Sequence, residues 1–116
     1  MRWFLAPLLW LILSYPAVAQ QSFNSLGYCQ VTSLTTAVAL TTAACSTGSV
    51  PNGAKSIEVC VSTAAIRYTS TGTPTPTATI GIPVAAGTCF PFTGPIYSIT
   101  FIRQAAGAIL DIEFFQ

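Results

Sequence analysis

Residues Ser56 to Ser62 read SIEVCVS, and the alternation in this heptapeptide decides the fold class. Ile57, Val59 and Val61 fall on one side of an extended chain, while Glu58 and Cys60 fall on the other. A period of two with β-branched residues on one face marks a half-buried strand. Working outward, the same logic recurs. After a kink or bulge, AAIRYTS places Ile66 and Tyr68 on one face and Arg67 opposite. Near the end, AILDIEFF places Leu110, Ile112 and Phe114 on one face, with Asp111 and Glu113 on the other. IYSITFIR aligns Tyr97, Ile99 and Phe101, and the intervening QAAGA supplies Gly107 for the positive-φ residue of a tight hairpin. Residues 30–34 and 37–40 read as two early strands, followed by a loop that holds Cys45 and the turn signal Pro51-Asn52-Gly53. TATIGIPV is a further extended segment with Ile80, Ile82 and Val84 on one face. AAGTCFPFTGP is a loop or short edge strand, because Pro91 cannot donate to a ladder. Strong helix signals are absent. About seven short strands with turns between them predict an all-β chain, a small antiparallel β-sandwich or barrel.

The chain has four cysteines, Cys29, Cys45, Cys60 and Cys89, and no histidine. No CxxC pair exists, so the common zinc ligand sets are missing, and no imidazole is present to activate a catalytic thiol. An even count in a small exported domain reads as two disulfides. Three pairings are open, and the favoured one is Cys29–Cys45 with Cys60–Cys89. Each bridge is expected to contribute ~3 kcal/mol. The count also bears on TSTGTPTPTATIG, residues 69–81. Three cysteines precede this stretch and one follows it, so one bridge must cross it. The flanking pieces are small for separate folding. The stretch is therefore expected to be an edge strand or a long ordered loop inside one domain, rather than a linker.

Residues 1–19 carry Arg2, an apolar run and the small-residue end Ala17-Val18-Ala19, the pattern of a cleaved signal peptide. The expected organisation is a signal peptide over 1–19 and a single β domain over 20–116. That domain balances Lys55, Arg67 and Arg103 against Glu58, Asp111 and Glu113, three minus three, for a net charge of zero. It has no electrostatic footprint for nucleic acid, and membrane contact is expected only through the signal peptide. Its 16 Thr and 9 Ser supply solubility instead. A nearly uncharged surface associates readily, which favours a protein partner or self-assembly.

No catalytic constellation is present, so the reading is that the chain is not an enzyme. A Ser/His/Asp or Cys/His arrangement cannot form without histidine. Asp111 and Glu113 share a strand face and read as a solvated pair rather than a glycosidase pair or a calcium site. No cofactor is implied. Phe90, Phe92, Tyr97, Phe114 and Phe115 are read mainly as core. Phe90 and Phe92 lie in a Pro-flanked segment and are the better candidates for exposure. The candidate surface contacts are Arg67, Tyr68, Thr73, Thr75, Phe90 and Phe92, since Arg and Tyr are favoured at interfaces and a row of threonines would present one polar side.

Several segments also resemble a known group. Ile66-Arg67-Tyr68, Gly72, Pro76-Thr77-Ala78, Ile80-Gly81, Ala85-Ala86-Gly87 and Ala105-Ala106-Gly107-Ala108 occur in an order similar to that of small β-sandwich proteins encoded in tailed-phage and prophage genomes. The resemblance spans residues 54–115. It implies a non-enzymatic, virion-associated or decoration-type role. Two departures stand out: the uncharged Thr69-Ser70-Thr71 replaces an acidic turn, and the leader and four cysteines suit an exported protein. The expectation is thus an exported structural or binding module that is secreted, periplasmic, or associated with a cell surface or virion. The alternative is a carbohydrate-binding or adhesive β-sandwich that uses Phe90, Phe92 and the threonine face.

Overall fold

The computed structural model describes residues 24–40 and 45–116. The expected signal peptide lies outside the described residues. Among the described residues nine strands follow in order: β1 (Ser25–Val31), β2 (Val38–Ala39), β3 (Thr47–Gly48), β4 (Ser56–Ser62), β5 (Ile66–Thr69), β6 (Ile82–Val84), β7 (Cys89–Thr93), β8 (Thr100–Arg103) and β9 (Ile109–Phe115). They form two antiparallel sheets, one ordered β3-β1-β9-β4-β7 and the other β2-β8-β5-β6. The result is the expected sandwich.

The alternation in β4 and β9 builds the core. β9 lies between β1 and β4, so Leu110 sits between Val31 and Val61, and Ile112 between Cys29 and Val59. All of these side chains are buried, as are Ile66, Ile99 and Phe101 on the opposing side. Tyr97 departs from its expected strand. Strand β8 begins only at Thr100, and Tyr97 lies in a turn closed by Ser98 N–H donating to Pro95 O at 2.9 Å. Its hydroxyl donates to Pro51 O at 2.7 Å and accepts from Ala54 N–H at 3.2 Å, which pins the Pro51-Asn52-Gly53 turn.

The expected hairpin at QAAGA is a different structure. Gly107 has the positive φ anticipated for it, at 90°. However, β8 pairs with β5 and β9 pairs with β1 and β4, so this turn carries the chain from one sheet to the other. The anticipated kink before β5 is a second such crossing. Thr63 adopts a φ of 74° there. The extended reading of TATIGIPV holds only for β6. Ile80 lies in a turn where Thr77 N–H donates to Ile80 O at 2.9 Å, and Ile80 and Ile82 are exposed while Val84 is buried.

The Thr-Pro stretch is an ordered loop that folds back over part of the outer face of the four-stranded sheet. Arg67 projects from β5 and fixes it, donating through Nε to Ala78 O at 3.0 Å and through Nη1 to Gly81 O at 2.8 Å. Pro76 is buried. A Cβ added at Gly72 would meet Thr100 Oγ1 at 3.0 Å, so the loop backbone rests directly on β8.

The disulfides pair as favoured, Cys29–Cys45 and Cys60–Cys89, with sequence separations of 16 and 29. The second bridge crosses the Thr-Pro loop as the cysteine arithmetic required. Two disulfides fit an oxidising, extracellular or periplasmic location. The sheet edges are all short or contain proline. β2 and β3 have two residues each, β6 contains Pro83, and β7 contains Pro91. Such edges resist strand addition.

Two stability outcomes follow. Ile112→Ala removes a fully buried branched side chain from the central strand and is expected to destabilise by about 2–5 kcal/mol in denaturant titration. Arg67→Ala removes two charge-assisted hydrogen bonds and is expected to cost about 1–3 kcal/mol, with new proteolytic cleavage within residues 70–81.

Candidate functional site

The residues singled out as surface contacts do not gather into one patch. Phe90 and Phe92 turn inward from β7, opposite Val59 and Ile57, and pack against the core. Phe90 stacks on Tyr68 with ring centroids 5.0 Å apart and planes 14° from parallel. Tyr68 also tilts against Phe101 at 6.3 Å. These three rings close the sandwich between the sheets, because a register pair points both members to the same side. Arg67 is engaged with the loop carbonyls. Thr73 and Thr75 are exposed on that loop. Its neighbour Thr77 is turned to local use, accepting from Thr79 N–H at 3.2 Å and Ile80 N–H at 3.0 Å.

The outer face of the five-stranded sheet assembles a different set. Across the strands run Tyr28, Glu113, Glu58 and Pro91 in one row, and Gln30, Asp111, Cys60 and Cys89 in the next. All three carboxylates of the chain therefore occupy this one face. Glu58 and Glu113 are direct register partners. Like charges placed opposite each other across a ladder are destabilising.

Strand β1 serves β9 with donors. Asp111 accepts from the Tyr28 hydroxyl and, at 3.0 Å, from Gln30 Nε2. Ser25 Oγ donates to Glu113 Oε1 at 2.8 Å. The hydrogen bond to Asp111 raises the Tyr28 phenol above the ordinary tyrosine value, with smaller contributions in the same direction from desolvation and from the negative charge of Asp111. Two shallow depressions meet at Glu58. One of about 100 Å³ is lined by Tyr28, Cys60, Asp111 and Glu113. The other, of about 280 Å³, is lined by Ser56, Pro91, Thr93 and Phe115. Glu58, Cys60 and Cys89 bring potential metal-ligating atoms within 4.8 Å of one another, but the two sulfurs are bonded to each other and offer no thiolate.

The sequence does not mark Ser25, Tyr28 and Gln30 as partners of the carboxylates. Alternation alone puts Glu58 and Glu113 on outer faces. It does not reveal that β4 and β9 are neighbours, nor how β1 aligns past the irregularity between Ser25 and Gly27.

Compared with protein-family models, curated proteins and solved structures, the chain has no match. The resemblance to phage-encoded sandwiches thus rests on the sequence motifs alone.

The Tyr28–Asp111 pair has a measurable pH signature. A phenol whose native pKa is raised contributes stability that is fully present below the ordinary tyrosine value and is lost as pH rises through the native one. In a tyrosine NMR titration the Tyr28 ring is expected to ionise at higher pH than free tyrosine, and Asp111→Asn is expected to bring the midpoint down.

Proposed function

We propose that this protein is an exported, non-enzymatic binding module that uses the outer face of its five-stranded sheet to hold a basic partner protein. One observation carries the reading: the two outer sheet faces are treated differently. The Thr-Pro loop covers part of the four-stranded sheet, pinned by Arg67. The five-stranded sheet instead presents Glu58, Asp111 and Glu113 with Tyr28 beside them. A register pair of glutamates disfavours folding, and a cationic partner would offset that repulsion on binding. The blunted edges oppose association by strand addition, which leaves face-to-face contact as the open mode.

In this reading the leader directs export and the two disulfides brace the domain outside the cytoplasm. The virion-accessory role implied by the sequence resemblance is one setting for such a module. A second reading, glycan contact, gains support from the depression that Phe115 lines together with Ser56, Thr93 and Glu58. It loses Phe90 and Phe92, which face inward.

A photo-crosslinking amino acid placed at residue 113, with a second protein carrying it at residue 75, tests the assignment. The partner, probed in virion or envelope fractions, is expected to crosslink from position 113, to lose the adduct at high salt and to show none from position 75. An adduct from position 75 alone would reverse the choice of face. A glycan-array signal abolished by Phe115→Ala, with no protein adduct, would favour the second reading.

A further inference from the structure

Both disulfides fasten the five-stranded sheet, but from opposite sides. Cys29 faces the core and is completely buried, and Cys45 packs half-buried against that core. Cys60 and Cys89 lie on the outer face as direct register partners of β4 and the edge strand β7. Cys89 is exposed and Cys60 half-buried.

Thiol–disulfide exchange requires a thiolate to approach one sulfur in line with the bond, opposite the sulfur that leaves. The two directions of approach differ here. Cys60 has β9 on its side away from Cys89, where Asp111 is its register partner, and Glu58 Oε1 of its own strand lies 3.8 Å from the sulfur. These carboxylates repel an incoming thiolate. Cys89 lies on the edge strand β7, beyond which no further strand stands among the described residues.

We propose that Cys60–Cys89 is a reducible latch, opened by an external dithiol that attacks the Cys89 sulfur. The first thiolate of the reductant bonds to Cys89, and the electron pair of the broken bond leaves on Cys60, which takes up a proton. The second thiol of the reductant, as its thiolate, attacks its partner sulfur in the mixed disulfide and displaces Cys89 as thiolate, which is protonated in turn. Two electrons pass to the protein, and the reductant becomes a cyclic disulfide. The opened latch removes the covalent tie between β7 and β4 and leaves the packing of Phe90 and Phe92 and a ladder in which Pro91 has no N–H to give. It also frees the ends of the span of 28 residues, 61–88, that contains β5, the Thr-Pro loop and β6. Strands β1, β9 and β4 stay joined, with Cys29–Cys45 closed beneath them.

Graded dithiothreitol on the native full-length protein, with two-stage alkylation and peptide mass spectrometry, tests the latch. Cys60 and Cys89 are expected to label about tenfold or more faster than Cys29 and Cys45. Amide exchange is expected to rise across residues 89–93 while residues 110–114 keep their protection. A large excess of a monothiol, 2-mercaptoethanol, is expected to leave its adduct on Cys89. Labelling of all four cysteines together, or of Cys29 and Cys45 first, would overturn the proposal. An adduct on Cys60 would overturn the direction of attack.

Discussion

Strand β9 has a neighbour on each side, and everything else in the sandwich depends on that placement. Six of its residues, 110–115, pair with both β1 and β4, so their alternation is imposed on three strands at once. Leu110, Ile112 and Phe114 make the floor of the core because the strands beside them contribute Val31, Cys29, Val59 and Ile57 at matching positions. The same pairing decides the other side of the sheet. Asp111 and Glu113 cannot be moved away from Cys60 and Glu58 without a shift of register that would turn Ile112 to solvent. The acidic face is therefore as firmly specified as the core, and by the same hydrogen bonds.

Local pattern made much of this legible before any coordinates. SIEVCVS and AILDIEFF expose their period of two, and the observed strands β4 and β9 follow them closely. Cysteine parity and position implied a bridge across the Thr-Pro stretch, and the structure places one there. What local pattern does not carry is partnership between strands. Gly107 marks a turn whether the following strand returns beside β8 or crosses to the other sheet, since the turn needs only the positive φ. Phe90 and Phe92 flank a proline, which reads as a loop or short edge strand with both rings open to solvent. Pro91 does sit in an edge strand, but on the outer row, and that placement sends its two neighbours inward. The role of Arg67 was hidden for a related reason: its acceptors are backbone carbonyls of residues 78 and 81, which carry no mark in the sequence.

The domain handles its scarcity of charge in a consistent way. With few ionic groups to keep neighbours apart, it shortens two of its edge strands to two residues and places proline in the other two. The threonine-rich loop adds a polar, already folded surface on the four-stranded side. Its hydroxyls solvate the protein without long charged side chains, and its prolines lower the conformational freedom to be lost on ordering.

The two bridges do not interleave along the chain: the first closes between residues 29 and 45 before the second begins at residue 60. A polypeptide entering an oxidising compartment amino end first would present its thiols in pairing order. Cys29 would meet Cys45 while Cys60 had yet to emerge, and Cys60 would then wait for Cys89. Nearest-neighbour oxidation during such an entry would yield the native connectivity directly, with no incorrect bridge to undo. The second bridge must stay open while 28 further residues arrive, and these include the whole Thr-Pro loop. Such an order of emergence would complete the inner bridge under β1 first and fasten the edge strand last.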